Sequence, residues 1–392
     1  MTVTPVDPPY PARDPRPPSA RVAMIGAGQL ARMTHQAAIS LHVELRVLTH
    51  ELDAPAVRAG ATPVLGSPDA SGDLAALADG CDVVTFDHEL VLPDLLAELA
   101  ERAVVRPSPQ AKLLAQDKLH ARRTLADARV AVPAFAAVAD AADVEAFAGE
   151  HGWPVVVKAR SGGYDGRGVW VVDDPDAADE ICERADAAGL RLLVEALVDI
   201  RLELAVLVAR TASGATTAYP VLQTHQHDGI CLDVVAPAAV PPQQAAEATR
   251  LAIELANGLG VTGLLAVELF VTPTGLFVNE LALRPHNSGH LTIDACPTSQ
   301  FEQHLRALLD WPLGDTQLLA PAAAMVNVLG PADGSDPTRR LARALAVPQA
   351  RVHLYAKTPR PGRKLGHVTA LGATPDEALD LARTAAAELV NP

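Results

Sequence analysis

The chain has 392 residues, 49% of them hydrophobic, which is too long for a single ordinary core and predicts two or three globular domains. Its 32 Lys and Arg residues against 47 Asp and Glu residues give a net charge of -15, which disfavours nucleic acid or an anionic membrane as a partner and requires a local basic pocket for any anionic substrate. No apolar run reaches membrane-spanning length, and four cysteines without C-x-x-C spacing indicate neither a zinc site nor disulfides, so the sequence predicts a protein of the reducing cytoplasm.

The first twenty residues contain seven prolines and no apolar centre of a signal peptide, so we expect an extended, disordered tail over residues 1–20. Order is expected from the apolar strand Arg21–Ile25, which leads through a glycine turn into a helix that ends near Leu41. A second strand at Glu44–Thr49 and a third at residues 82–86, with a helix over residues 74–78 between them, predict a small parallel α/β sheet that ends near Ser108.

The glycine turn of this unit matches the pattern of a dinucleotide-binding fold, so a nicotinamide-dependent dehydrogenase is one hypothesis. Gly26, Gly28 and Ala31 have the required spacing, and Glu51 stands where an acid for the ribose hydroxyls is expected. The unit is short, however, and the chain does not continue into the second half of such a sheet. Because a glycine turn before a helix can bind many polar ligands, we expect Gln29 to hydrogen-bond a substrate there instead.

Residues 154–172 hold two β-branched runs on either side of a loop with four glycines. Glycine lets backbone N–H groups approach an anion closely, so the pattern predicts a strand, a mobile loop that covers phosphates and a return strand. Lys158, at the end of the first run, would point at the same phosphates. The alternative is a glycine-rich hairpin with a lysine whose ammonium reaches solvent.

A strand over residues 192–198 is followed by Glu203 and a strand over residues 204–209. An adenine ring needs an apolar slot with backbone donors and acceptors, and a ribose needs a carboxylate. Residues 195–198 are therefore candidates for the adenine slot and Glu203 for the ribose. Taken alone, Glu195 and Glu203 are also consistent with solvated charges at strand ends.

Residues 264–271 and 276–280 are two strands joined by a Pro-Thr-Gly turn, which predicts an antiparallel hairpin with Glu268 and Glu280 side by side. Carboxylates inside apolar strands are costly to bury unless a cation neutralises them. Mg2+ bound by both carboxylates, the amide oxygen of Asn279 and nucleotide phosphates fits this pattern. The alternative is a pair of exposed charges on an edge hairpin.

The most specific string is N-E-L-A-L-R-P-H-N-S-G-H over residues 279–290. Supporting strings lie at residues 28–33, 85–89, 116–118, 299–302 and 360–367, in addition to the glycine loop. With them the chain resembles the ATP-grasp enzymes and, among these, the N(5)-carboxyaminoimidazole ribonucleotide synthases of purine biosynthesis, from Arg21 nearly to the end. The usual Asn-x-His reads Thr224-x-Gln226 here, so no nucleotide contact is assigned to His225.

The resemblance implies an ATP site formed by two lysines, the glycine loop, the strand end near residue 195 and the end of the hairpin. Its residues are Lys118, Lys158, Gly163, Tyr164, Asp165, Gly166, Arg167, Gly168, Val169, Glu195, Ala196, Leu197, Val198, Glu203, Asn279 and Glu280. It also implies that Glu268 and Glu280 hold Mg2+.

In the family, ATP activates bicarbonate as carboxyphosphate, which releases carbon dioxide beside the amine of 5-aminoimidazole ribonucleotide. The resemblance implies that Tyr164 and Asp165 approach the aminoimidazole, with Asp165 as the candidate base. It further implies two groups of residues, one that handles bicarbonate and one that clamps the ribose phosphate: Arg284, His286 and Asn287 for the first, and Lys357, Arg363 and Lys364 for the second. The second group is the local basic patch that the overall acidity requires; without the resemblance it would be interpreted as a solvated basic tail.

The expected fold is α/β and α+β, with an ATP-grasp fold over residues 109–313. A small parallel-sheet pre-ATP-grasp domain over residues 21–108 precedes it, and a small C-terminal α+β domain over residues 314–392 carries the basic patch. Within the latter we expect strands near residues 324–329 and 351–356 and a helix over residues 375–389. The resemblance also implies a homodimer.

Three functions therefore stay open on the residues alone. The first is the ligase, the second a nicotinamide-dependent dehydrogenase, and the third a nucleotide-binding module without catalysis. The nearest rival is another ATP-grasp ligase that uses formate, or a biotin-type carboxylase.

Overall fold

The computed structural model describes residues 19–163 and 166–391, so Tyr164, Asp165 and nearly all of the predicted tail lie outside the described residues. The first sheet has four parallel strands in the order β3-β2-β1-β4. Its elements in chain order are β1 Arg21–Ile25, α1 Gln29–Ser40, β2 Glu44–Thr49, β3 Thr62–Leu65, α2 Ser71–Ala78, β4 Val83–Phe86 and α3 Pro93–Ala100.

The first sheet differs from the prediction by one strand. The segment expected as the third strand is the fourth in the sequence, because β3 comes between β2 and that segment along the chain. Strand β3 is a largely exposed edge strand that contains Pro63, so it lacks the apolar run by which the other strands are recognised. The edge position explains why this strand was missed.

The second sheet has four antiparallel strands in the order β5-β8-β6-β7. Two helices precede it and two pack against it: α4 Pro109–Gln116, α5 Lys118–Asp127, β5 Phe135–Val138, α6 Ala141–His151, β6 Val155–Ala159, β7 Val169–Val172, α7 Pro175–Ala187 and β8 Leu192–Ala196. The predicted strand and return strand are β6 and β7, and the glycine loop connects them. The two strands pair from Val155 with Val172 to Lys158 with Val169.

The third sheet is the largest, with nine strands of which eight follow the order β14-β13-β9-β11-β12-β15-β17-β16, while β10 pairs with β9. Its elements are β9 Leu202–Arg210, β10 Thr216–Ala218, β11 Leu222–His227, β12 Ile230–Ala236, α8 Pro242–Gly258, β13 Gly263–Thr272, β14 Gly275–Ala282, α9 Thr292–Ala295, α10 Gln300–Leu308, β15 Ala322–Leu329, α11 Leu341–Ala344, β16 Ala350–Leu354, β17 Lys364–Gly372 and α12 Pro375–Val390.

The C-terminal strands belong to this same sheet, because β15 pairs with β12 from Asp233–Val326 to Ala236–Ala323. Strand β17 was not predicted, since Lys364, Gly366 and His367 interrupt its apolar pattern. The predicted C-terminal α+β elements are present, but their strands extend the large sheet instead of forming a sheet of their own. None of the helices in the described ranges is long and apolar enough to cross a bilayer.

Candidate functional site

The hairpin of β13 and β14 places two carboxylates opposite one another, since Glu268 pairs with Glu280 in the strand register. The register shifts between Glu268 and Leu269, which makes Asn279 an extra residue in β14. A bulge of this kind turns two successive side chains toward one partner. Accordingly, the amide nitrogen of Asn279 donates to Glu268 Oε2 at 3.2 Å, and three oxygen-bearing side chains meet at one point.

The two carboxylates have opposite electrostatic surroundings. Burial, followed by repulsion from Glu280 and Glu203, raises the pKa of Glu268 to about 7. Glu280 pairs with the ammonium of Lys118 at 2.8 Å, and although burial opposes the charge, Lys118 holds the pKa of Glu280 below its usual value. Glu280 lies among the charges of Lys118, Lys158 and His286, although 44% of its side chain is accessible to solvent. A cation would relieve the repulsion between the pair.

These donors fit a divalent cation with oxygen ligands, but they do not complete its shell. Nowhere in residues 19–163 or 166–391 do three or more His, Cys, Asp or Glu side chains form a group that could hold a metal ion. Two carboxylates and one amide oxygen leave positions for phosphate oxygens and water, which is how Mg2+ is usually bound beside a nucleotide.

A second charge cluster lies in the core between α5, β6 and β8. Glu195 accepts from Arg122 Nε and from Lys158 Nζ, each at 2.7 Å, and all three side chains are nearly inaccessible. Glu195 pairs with Val156, two residues from Lys158 on the same face of β6, so the register brings lysine and carboxylate together. One carboxylate between two cations leaves the cluster with a net positive charge.

The pKa values agree with this surplus of positive charge. Burial, together with repulsion from Arg122, lowers the pKa of Lys158 in spite of Glu195. The pKa of Glu195 is also lowered, because Lys158 and Arg122 outweigh its burial. The carboxylate is thus firmly ionised, and an additional anion beside Lys158 would stabilise the ammonium.

The glycine loop is anchored at both of its sides. At its start, Arg160 forms a two-point ion pair with Asp117, whose carboxylate also caps α5 by accepting from the N–H groups of Leu119 and His120. Further along, a Cβ added at Gly166 would lie 2.8 Å from the carbonyl oxygen of Asp228 in the turn between β11 and β12. The loop therefore spans from the second sheet to the large sheet, and Gly166, with φ of +74°, must stay a glycine.

Four other residues of the loop were predicted to bind ATP, namely Gly163, Arg167, Gly168 and Val169. A Cβ at Gly163 would lie 2.6 Å from the carbonyl oxygen of Arg167, so the loop closes on itself there. Arg167 is exposed, Gly168 has a positive φ, and Val169 begins β7 with 40% of its side chain accessible.

On the predicted adenine side, Ala196 ends β8 and Leu197 and Val198 follow it, with Leu197 half exposed. Glu203 begins the neighbouring part of β9 and accepts from the amide nitrogen of Gln226 at 2.9 Å. Burial raises the pKa of Glu203, and this hydrogen bond partly opposes the rise. Gln226, which has no predicted role, thus contacts the predicted ribose carboxylate directly.

His225 takes part in a different network. A bulge separates it from Gln226, its Nδ1 pairs with Asp233, and its Nε2 lies 2.7 Å from the side-chain nitrogen of Gln223. Asp233 also pairs with Arg383 of helix α12 at 2.8 Å. Both ring nitrogens of His225 therefore have partners within the protein, which agrees with assigning it no nucleotide contact.

The N-terminal glycine turn is already occupied by a side chain of the chain itself. Gly28 donates its N–H to Asp87 Oδ2 at 2.7 Å, and a Cβ at Gly26 would overlap Asp87 Oδ1 at 1.7 Å. A pyrophosphate would have to displace this buried carboxylate, so the resemblance to a dinucleotide turn does not extend to the ligand. Gln29 is half-buried at the start of α1, beside this turn.

The residues predicted to handle bicarbonate follow β14. Arg284 lies 2.6 Å from Glu89, and although burial opposes the charge, Glu89 raises the pKa of Arg284. His286 Nε2 lies 3.4 Å from Glu268 Oε1. Asn287 exchanges two amide hydrogen bonds with Asn327 of β15, at 2.9 and 2.8 Å. These contacts connect the carboxylate pair to the first sheet on one side and to the C-terminal strands on the other.

The predicted phosphate clamp surrounds the loop between β16 and β17. Arg363 donates to the carbonyl oxygen of Thr358 at 3.0 Å, Lys364 begins β17, and the ammonium of Lys357 lies 5.8 Å from the ring centre of Tyr355. The ring of Tyr355 is fully buried and its hydroxyl lies 2.8 Å from His367 Nδ1. Of the three cations, Lys357 therefore lies beside a buried aromatic ring.

Sequence reasoning missed some residues that complete the site, above all Arg122, Gln226 and Asn327. Arg122 had a detectable signal, because it follows Lys118 by four residues on α5 and so lies on the same helix face. Gln226 and Asn327 had none, because their side-chain contacts with Glu203 and Asn287 join segments that are far apart in the sequence.

Three family models match the chain in succession. They describe a ribonucleotide synthetase preATP-grasp domain over residues 19–116, an ATP-grasp domain over residues 123–301 and a phosphoribosylaminoimidazole carboxylase C-terminal domain over residues 323–381. The fold class expected from the sequence is confirmed by these matches.

Relatives and solved structures are similar over nearly the whole chain. An N5-carboxyaminoimidazole ribonucleotide synthase of Mycobacterium tuberculosis is 52% identical over 371 residues, which is 93% of this chain and 86% of the relative. The solved N5-carboxyaminoimidazole synthase of Aspergillus clavatus, in complex with ADP and 5-aminoimidazole ribonucleotide, is 31% identical with a TM-score of 0.86 and covers 95% of this chain and 98% of its own. An ADP complex of another such synthetase has 32% identity, a TM-score of 0.87 and coverage of 94% and 96%.

Replacing Glu268 by glutamine should stabilise the ligand-free protein at high pH. The carboxyl group ionises from its ordinary value near 4.5 in the unfolded chain but only from about 7 in the folded protein. The folded state therefore loses stability as the pH rises through this window, and glutamine removes the loss. We expect a gain of roughly 1–3 kcal/mol at about pH 8 and little gain near pH 4, below both pKa values, measured by denaturant unfolding.

The matched control is E254Q, which changes an exposed carboxylate on helix α8. An equal effect of E268Q at both pH values would show that the carboxyl group of Glu268 is not held neutral by its surroundings.

Proposed function

The chain belongs to the family of N5-carboxyaminoimidazole ribonucleotide synthases, and we propose that it works through the charged cleft between the glycine loop and the large sheet. Its activity is the ATP-dependent carboxylation of 5-aminoimidazole ribonucleotide to N5-carboxyaminoimidazole ribonucleotide in purine biosynthesis, so it is an ATP-dependent ligase. The observation that carries the location is the facing pair Glu268 and Glu280 beside Lys118.

In this proposal ATP lies between the second sheet and the large sheet. The strand end at residues 195–198 provides the backbone groups for adenine, and Glu203 binds the ribose. The phosphates extend toward Lys118, Lys158 and the glycine loop, including Gly163, Arg167 and Val169. The surplus positive charge around Lys158 and the pair at Glu280 support this direction.

We propose that Mg2+ is held by Glu268 and Glu280 next to the terminal phosphates. When bound, the ion neutralises charge on the transferred phosphoryl group. The protein groups act on the same charge: Lys118 and Lys158 face the phosphates, and the loop excludes water from them. Because charge spreads over three oxygens as bicarbonate attacks, preorganised cations contribute more than a covalent group would.

Bicarbonate is placed on the side of Arg284, His286 and Asn287. The planar guanidinium of Arg284 suits a pair of carbonate oxygens, and each charge-assisted hydrogen bond would contribute roughly 1.5–3 kcal/mol. Glu89 orients Arg284 through the ion pair at 2.6 Å. The product of this step is carboxyphosphate, which is labile and is protected when the glycine loop covers the cleft.

The ribonucleotide is placed between the first sheet and the basic residues of the C-terminal strands. Lys357, Arg363 and Lys364 bind its phosphate, and Gln29 binds on the side of the first sheet. The contacts assigned to Tyr164 and to Asp165, the latter as the base for the amine proton, rest on the family resemblance, since both residues lie outside the described ones.

Three further assignments belong to this proposal. The domain limits are residues 21–108, 109–313 and 314–392, after a tail over residues 1–20. The protein works in the cytoplasm, which agrees with four unpaired cysteines, Cys81, Cys182, Cys231 and Cys296. It acts as a homodimer, an assignment that rests on the family resemblance.

The proposed reaction predicts that ADP release requires bicarbonate and 5-aminoimidazole ribonucleotide together. A coupled ADP assay with either substrate omitted should show only background turnover, and formate in place of bicarbonate should not restore it. Turnover with formate would identify a formate-using ligase, and nucleotide binding without any turnover would identify a binding module.

Lys158→Met and Glu280→Gln should each reduce turnover by about a thousandfold or more, because each removes charge stabilisation at the phosphates. The fold should survive in K158M, since Arg122 still pairs with Glu195. Steady-state rates and circular dichroism check both points. The controls R184M and E254Q change exposed charges on α7 and α8; normal activity in K158M or E280Q removes that residue's role.

Replacing Arg363 and Lys364 together by glutamine should raise KM for the ribonucleotide about tenfold or more while KM for ATP changes little, because the pair is assigned to the ribose phosphate. The control is R351Q, on the neighbouring strand β16. A larger effect on KM for ATP than on KM for the ribonucleotide would show that these cations act on ATP, which contradicts their assignment.

A further inference from the structure

The cluster of Arg122, Lys158 and Glu195 has a net positive charge, because two cations share one carboxylate. The two cations each lie 2.7 Å from a different oxygen of the same carboxylate. Arg122 occupies Oε1 through its Nε, and Lys158 occupies Oε2. If Arg122 were absent, Glu195 and Lys158 would form an isolated pair without net charge.

The surplus charge lies directly behind the proposed path of the phosphates. Arg122 borders a small cavity together with Lys118, Asn279 and Glu280. Its guanidinium is on the same face of α5 as Lys118, one helical turn further along. Arg122 itself is fully buried and bound to Glu195, so it lies behind the lysines and not on the ligand side.

We propose that Arg122 is a positioning residue for the phosphates of the nucleotide. By sharing Glu195, it prevents this carboxylate from neutralising Lys158, and it fixes the carboxylate so that the ammonium stays at the end of β6. The charge on Arg122 therefore contributes to binding of phosphate groups without a contact to them. This inference rests on the proposed ATP site and extends it to a residue behind that site.

Because the effect acts on phosphate charge, it should depend on the ligand. Arg122→Gln keeps a hydrogen-bond donor for Glu195 but removes the charge. We expect the affinity for ADP to fall about tenfold or more relative to that for adenosine, which corresponds to about 1.4 kcal/mol. Arg122→Lys keeps the charge and should retain the parent ratio of the two affinities. Titration calorimetry or competition against ATP turnover measures both ligands.

The control is R123Q, the same change at the neighbouring, exposed Arg123. It should leave both affinities as in the parent. A merely structural role of Arg122 predicts a different pattern, in which R122Q weakens ADP and adenosine by the same factor and lowers the midpoint of thermal unfolding. That pattern, or an unchanged ADP affinity, would overturn the inference.

A double variant tests the charge count directly. In R122Q/E195Q the cation and the anion are both removed, so Lys158 remains with the net charge of the original cluster. We expect the ratio of ADP to adenosine affinity to return toward the parent value, whereas additive damage would lower it below R122Q. If R122Q does not fold, the double variant and R122K still decide the question.

The outcome is separable from the proposed function. If the parent protein fails to release ADP with bicarbonate and 5-aminoimidazole ribonucleotide, the proposed function fails. If the parent turns over and R122Q keeps the parent's ligand ratio, only the role of Arg122 fails.

Discussion

The structure of the cleft depends on two carboxyl groups that face each other across β13 and β14. Glu268 and Glu280 are opposite in the register, and repulsion together with burial raises the pKa of Glu268 to about 7. Lys118 and the amide of Asn279 offset part of this cost. The bulge at Asn279 determines the arrangement, because a regular hairpin would turn Asn279 to the opposite face. The site is thus built to be more stable with a cation than without one.

The same reasoning explains how an acidic protein can bind polyanionic substrates. A net charge of -15 produces a repulsive field at long range, but solvent and salt screen charges on the surface. Lys158 and Arg122 are buried, where screening is weak, and they share the single carboxylate of Glu195. The cluster around Lys158 is therefore positively charged although the chain as a whole is acidic. Burial lowers the pKa of Lys158 and so destabilises its ammonium form. An anion beside Lys158 would offset this destabilisation.

The sequence predicts well what depends on neighbouring residues and poorly what depends on distant ones. The hairpin of Glu268 and Glu280 and the strands around the glycine loop follow from local alternation and turn residues, and both are present. The glycine turn at Gly28 shows the limit, since its spacing fits a dinucleotide, and only the fold shows Asp87 bound to it. Continuity of the large sheet was likewise not predictable, because α8, the whole hairpin of β13 and β14, α9 and α10 separate β12 from β15 in the sequence.

This continuity has a consequence for how the two substrates meet. Strands β14, β13, β9, β11, β12, β15 and β17 are hydrogen-bonded in one uninterrupted series, so the carboxylate pair and Lys364 belong to one rigid sheet. The amide exchange between Asn287 and Asn327 adds a direct link between the residues after β14 and strand β15. The second sheet shares no strand pairing with this series. In the proposed arrangement the large sheet therefore sets the distance between the phosphoryl end of the nucleotide and the ribonucleotide phosphate, while the glycine loop connects β6 and β7 of the second sheet.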